Sequence, residues 1–259
     1  MEEQNLNKIV DSHIHLDKYL NDEIKMITME AEMLISVSMN LHSCKRNLEI
    51  TKEYSNVRSA FGFHPEQLIP SEAELCQLFS WLTANHDQAI AIGEVGLPFY
   101  LREQGQLKQS YDQYIELLEC FIQFSKQYNK PIVLHAVYDD AHIVCDLLEK
   151  HTMDKAHFHW YKGDRQTIER LISNRYFISI TPEVLYKEKI RKIVREYPLD
   201  LMMVETDGPW PFEGPFVGKK TRPRMIHRTI AEISKIKGLP LEFIYQQIYL
   251  NTNDFYVVK

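Results

Sequence analysis

Eight short apolar runs, each followed by a stretch of helical character, constrain the fold of this chain more than any other feature. The runs are Ile9-Val10 leading into 11–17, then 34–38, 57–63, 89–94, 131–135, 156–159, 176–180 and 201–207. Ala89-Ile90-Ala91-Ile92 is apolar throughout rather than alternating, as suits a strand covered on both faces. Between the runs, residues 23–31 carry Ile24, Ile27 and Ala31 at helical spacing, and 41–54 and 139–150 also read as helices. Ser71 with Glu74 three residues on forms a capping box that opens a helix through Trp81. Residues 95–106 read as a longer link into a helix ending near Tyr128, and helices over 223–237 and from Pro240 to about Phe255 close the chain. Eight strands joined by right-handed helical crossovers predict an α/β fold, a closed (β/α)8 TIM barrel. No repeat, linker or low-complexity tract interrupts the 259 residues, so one barrel domain over 1–259 is expected.

This architecture gives positions to the polar residues. His15, Glu94, His135, His159 and Asp207 fall at the ends of the first, fourth, fifth, sixth and eighth predicted strands, the face of a barrel that carries chemistry. His13 and His15 are two apart, and on a strand both imidazoles project to one side. Three or more imidazoles with two carboxylates suit a transition-metal dication, and a carboxylate such as Glu94 can bridge two ions. Cys44, Cys76, Cys120 and Cys145 show no metal-binding spacing and read as reduced thiols. With 30 Lys+Arg against 36 Asp+Glu, the net charge of -6 excludes a general basic field for nucleic acid, so a polyanion needs a local patch. The polar start Met1-Glu2-Glu3-Gln4-Asn5 and the lack of a spanning apolar run lead to the expectation of a cytoplasmic protein without membrane contact.

His13-x-His15, Gly62-Phe63-His64-Pro65, Ile92-Gly93-Glu94-Val95-Gly96-Leu97, Pro131 to His135, His159 with Gly163, and Glu205-Thr206-Asp207 stand in this order along the chain. Together with Asn251 to Phe255, the series resembles the motifs of TatD-type metal-dependent hydrolases over nearly the whole length. The resemblance implies an amidohydrolase-type barrel and up to two divalent ions, with zinc, manganese, magnesium, nickel and iron as candidates. It also implies phosphodiester hydrolysis, DNase activity being best known, on nucleic acid or a small phosphodiester. Carried over by residue, it puts His13, His15, Glu94 and Asp207 around one ion and Glu94, His135 and His159 around the other. Asp207 would then accept the proton of an activated water.

Four departures from that pattern bear on substrate. Pro98 stands where an acidic residue is usual, Val137 lies in the stretch where an Arg is common, Trp160-Tyr161-Lys162 replaces a smaller run, and Gly208 replaces Ser. A missing Arg removes a bidentate phosphate contact, which Lys162 replaces only as a point charge. His64 is a candidate substrate or supporting contact, and Lys219, Lys220 and Arg222 are candidates to meet a polyanion after the eighth strand. His157 and Glu205, in phase with His159 and Asp207, are expected to be buried partners of ligands. Amide, lactone or deaminase chemistry is the alternative enzyme class, and a non-catalytic metal-binding barrel is the third. No obligate protein partner is evident from the sequence.

Overall fold

In the computed structural model, residues 8–256 are described, so the acidic start of the chain lies outside the described residues. Strands β1 (Val10–Ile14), β2 (Met33–Ser36), β3 (Val57–Phe61), β4 (Ala89–Gly96), β5 (Ile132–His135), β6 (Ala156–Phe158), β7 (Phe177–Ile180) and β8 (Met202–Val204) form one sheet in sequence order. Every recorded pairing is parallel. The ends of the sheet meet where the amide of Asp207 donates to His13 O at 2.9 Å and that of His15 to Gly208 O at 2.8 Å. Side chains lock the same seam: the Thr206 amide and hydroxyl donate to Asp11, and Ser12 Oγ to Val204 O. The expected barrel is thus observed.

Around it run α1 (Asn21–Thr28), α2 (Leu41–Glu53), α3 (Glu72–Asn85), α4 (Phe99–Glu103), α5 (Tyr111–Gln127), α6 (Asp140–Lys150), α7 (Arg165–Ser173), α8 (Glu188–Glu196), α9 (Ile226–Lys237) and α10 (Leu241–Tyr256). The capping box at Ser71 and Glu74 is present. The segment read as a plain link after Glu94 differs. There β4 continues to Gly96 and the short α4 follows, while a second capping box, Ser110 with Gln113, delays the next helix to Tyr111. The first, third and eighth strands are shorter than their apolar runs because the chain turns out of the sheet into loops, leaving His15, His64 and Asp207 just past the strand ends.

Val10, Ile35, Ala60, Ala91, Val133 and Met203, from six strands, pack together and against Phe255 and Tyr256 of α10. Residues of so many strands meet only inside the barrel, so this cluster is its apolar floor. Above it rises a polar column. Tyr256 Oη pairs with His157 Nδ1 at 2.7 Å, His157 Nε2 with Ser179 Oγ at 2.7 Å, and Ser179 donates to Glu205 at 2.5 Å. No helix among the described residues is long and apolar enough to cross a membrane.

The amide of Asn251 ties α10 to the barrel by donating to Leu199 O at 2.6 Å and Met202 O at 2.7 Å. Asn251→Ala leaves both carbonyls without this donor and is expected to cost about 1–3 kcal/mol. Urea unfolding of chelated protein measures it; an unchanged midpoint would contradict the role given to Asn251.

Candidate metal centre

The turn out of β1 carries His13 and His15 to the barrel mouth with ring centroids 5.3 Å apart. Their Nε2 atoms converge on two carboxylate oxygens. His13 Nε2 is 3.2 Å from Glu94 Oε2 and 3.4 Å from Asp207 Oδ1, and His15 Nε2 is 3.3 Å from each. Donors at about 2.0–2.1 Å from a tetrahedral ion are separated by about 3.3–3.4 Å, since a tetrahedron's edge is about 1.6 times its radius. The four nitrogen–oxygen separations match that spacing. Buried atoms without a hydrogen-bond partner include both ring nitrogens of His13, Glu94 Oε2 and Asp207 Oδ1, and orphaned buried polar groups call for an ion or a water.

The other oxygen of Glu94 faces a second group. Glu94 Oε1 lies 2.7 Å from His159 Nε2 and 3.0 Å from His135 Nδ1, and these two nitrogens are 3.2 Å apart. His64 Nε2 stands 3.3 Å from the same oxygen, but its tautomer sets it apart. The Glu66 amide donates to His64 Nδ1 at 3.1 Å, and burial pulls the His64 pKa down, favouring a neutral ring. A neutral ring accepting at Nδ1 carries its proton on Nε2, so His64 faces Glu94 with an N–H and offers no lone pair there. His64 thus stands beside Glu94 as a proton-bearing nitrogen, although it sits close enough to be counted among possible ligands.

The carboxylates and imidazoles of the site stabilise one another's charged forms. Burial disfavours an imidazolium at His15, yet the adjacent carboxylates of Asp207 and Glu94 push its pKa up to about 10. His159 is likewise raised against burial by Glu94 and Glu205. Burial would raise Glu94, but the neighbouring imidazoles, His159 first, hold it well below the usual carboxylate range. A cluster that gathers protons around two buried carboxylates is one in which divalent cations can take the protons' place.

Outer contacts orient these groups. Glu205 Oε1 is 3.5 Å from His159 Nδ1 and accepts the Trp160 amide at 2.7 Å, while His157 is satisfied at both nitrogens by Tyr256 and Ser179. His157 therefore acts on the ligands only through Ser179 and Glu205. Trp160 (φ 39°) and Asp207 (φ 49°) are left-handed. Such backbone costs about 1–3 kcal/mol in a non-glycine residue and clusters at functional sites.

The mouth opens into a cavity of about 580 Å³ lined by Tyr100, Leu101, Val137, Trp160 and Trp210, with His64, Glu66, Gln104 and Lys162. Lys162 is mostly buried, with Nζ 3.9 Å over the Trp160 ring and 3.6 Å from Glu183. Burial lowers its pKa and Glu183 opposes that shift. The basic run is arranged differently from expectation. Lys220 pairs with Glu23 and Arg222 with Glu30, so these two brace the loop after β8 against α1 and its C-terminal edge, and Lys219 alone of the three lacks such a tie and is exposed. Sequence reasoning missed Glu66, Tyr100, Gln104, Glu183 and Trp210, which lie on loops or short single-turn helices without periodicity. Asp11 carried a usable signal, being in phase with His13. All four cysteines are free, as expected.

Gly208 has a local reason. A Cβ there would fall 2.1 Å from Tyr19 Oη, which donates to Thr221 O at 2.8 Å. Gly208→Ala is expected to cost about 1–3 kcal/mol and Tyr19→Phe about 1 kcal/mol. The double variant should lose less than the sum, because the clashing oxygen is gone. Calorimetric melting of the four proteins measures this, and strict additivity would refute the steric account.

Compared with known proteins, residues 10–257 match the family described as TatD related DNase. A Haemophilus influenzae protein described as an uncharacterized metal-dependent hydrolase is 37% identical over 251 residues, 96% of this chain and 99% of the relative. A human protein described as deoxyribonuclease TATDN3 is 26% identical over 252 residues, 92% of this chain and 90% of the relative. Among solved structures, the TatD homologue YjjV of Escherichia coli matches with a TM-score of 0.86 at 23% identity, over 98% of this chain and 100% of that one.

Proposed function

The chain belongs to the TatD-related DNase family and is a metal-dependent hydrolase, and from that premise we propose that it cleaves phosphodiester bonds using two divalent cations. In this reading residues 1–259 work as one barrel domain. The observation that carries it is the division of the Glu94 carboxylate, Oε2 toward His13 and His15, which also face Asp207, and Oε1 toward His135 and His159. His13, His15, Glu94 and Asp207 would hold the first cation and Glu94, His135 and His159 the second. Bound there, divalent cations supply Lewis-acid charge that makes water nucleophilic at neutral pH and offsets negative charge on phosphate oxygens.

The chain's own groups do the rest. Asp207 lines the cavity, and one of its carboxylate oxygens takes the proton of the attacking water. His64 Nε2–H holds Glu94 in place. Lys162 presents an ammonium toward the cavity and binds a phosphate oxygen as a point charge, in place of the planar Arg contact that Val137 does not provide. Tyr100, Trp160 and Trp210 offer faces for a base, worth about 1–3 kcal/mol per stacked base. The cavity's size suits a small ligand, so the substrate enters as a strand end or a small phosphodiester. The apolar wall of Val137, Leu101 and Trp160 favours one second reading, hydrolysis of a small amide or lactone at the same centre.

Metal analysis after reconstitution should find about two ions per chain in wild type. His13→Ala should chiefly empty the first position, His159→Ala the second, and Glu94→Gln both; equal content in all four proteins would sink the assignment. Lys162→Ala should raise KM for an oligonucleotide or an aryl phosphodiester about 10-fold to 100-fold, the value of a charge-assisted hydrogen bond, with metal content unchanged. Reconstituted protein that cleaves lactones or amides and no phosphodiester would replace the leading reading with the second.

A further inference from the structure

Glu66 lies on the loop after β3, two residues past His64, and has no part in the chemistry above. Its side chain is 14% exposed. Oε1 accepts the Tyr100 amide and Oε2 the Leu101 amide, both at 2.8 Å, so this carboxylate fastens the first turn of α4 and with it one wall of the cavity. The remaining capacity of Oε1 is directed at a ligand. It stands 3.4 Å from His135 Nε2, a buried nitrogen with no hydrogen-bond partner of its own. The opposite nitrogen of that ring, Nδ1, faces Glu94 Oε1 and His159 Nε2.

A neutral imidazole has one proton and one lone pair, and the group facing one nitrogen decides which the other presents. Glu66 presents its oxygens as acceptors: Oε1 and Oε2 each take a backbone N–H, from Tyr100 and Leu101. Facing His135 Nε2, it fixes the proton there and leaves the Nδ1 lone pair free toward Glu94. Take Glu66 away and a buried Nε2–H has no acceptor, the ring can turn, and the proton can move to Nδ1, where it blocks a cation.

We propose that Glu66 is a positioning residue for His135: it accepts the Nε2–H so that Nδ1 is presented to the cation shared with Glu94 and His159, and it ties that ligand to the α4 wall of the cavity. The inference rests on the two-cation reading. Outer carboxylates of this kind change metal affinity by about 10-fold to 100-fold. They also alter the basicity of the ligand they touch, which a purely structural brace would not do.

Chelated full-length wild type, Glu66→Gln and Glu66→Ala are titrated with Co2+, reading both affinity and the visible absorption of each equivalent. Gln keeps the size of the side chain but turns a donor toward one of the three N–H groups. The expected result is two equivalents in wild type and, in both variants, a first equivalent unchanged and a second weakened about 10-fold to 100-fold with a shifted spectrum. Melting in chelator identifies loss of fold in Glu66→Ala, in which case Glu66→Gln decides. A second equivalent with wild-type affinity and spectrum overturns the proposal, and a raised KM alongside it makes Glu66 a substrate contact instead. Uptake of only one equivalent by wild type removes the two-cation reading and this inference together; two equivalents of the same affinity and spectrum in all three proteins removes this inference alone.

Discussion

The last strand closes on the first through the backbone of the residues that carry the site. The amide of Asp207 bonds to His13 O, and that of His15 to Gly208 O, so the seam and the ligand cluster are one constraint. A shift of one residue at this seam would move His13, His15 and Asp207 relative to one another and break the convergence of their donor atoms. Asp11 strengthens the register from below through Thr206. Burial raises the Asp11 pKa to about 7 against these hydrogen bonds, so this fastening sets a desolvated carboxyl beneath His13 and Asp207.

The interior is graded accordingly. An apolar floor under α10 gives way to Tyr256, His157, Ser179 and Glu205, each hydrogen-bonded to the next, and then to the ligands. Buried polar groups cost free energy unless paired, and in this column they are paired up to the ligand layer. There the unsatisfied atoms begin, on His13, Glu94, Asp207 and their neighbours. In this column the change from satisfied to unsatisfied groups falls at the level of the proposed cation sites. Left-handed backbone at Trp160 and Asp207 falls at the same level.

The barrel was legible because eight short apolar runs recur between segments of helical spacing, and the proposed ligands drew attention because they sit at the ends of those runs. His157 and Glu205 were legible by phase. What escaped is made by residues far apart in sequence. Lys220 and Arg222 looked free to meet a polyanion, but Glu23 and Glu30, nearly two hundred positions earlier, neutralise them. The helix α4 was hidden in a stretch beginning with Pro98, and the later start of α5 turned on a Ser110–Gln113 cap overlooked inside a polar run. Glu66 follows a proline on a loop, and only the three-dimensional approach of β5 and α4 reveals what it faces. Loop residues escape periodicity arguments, yet here they line most of the cavity.

The central claim is that Glu94 divides its two oxygens between two cations. Anomalous diffraction from metal-loaded crystals, recorded on both sides of the metal's absorption edge, tests it most directly. The account predicts two peaks about 3.5–4 Å apart, one among His13, His15 and Asp207 and the other beside His135 and His159, with Glu94 between them. A single peak at full loading, or a second peak ligated by His64 in place of His135 and His159, would contradict it.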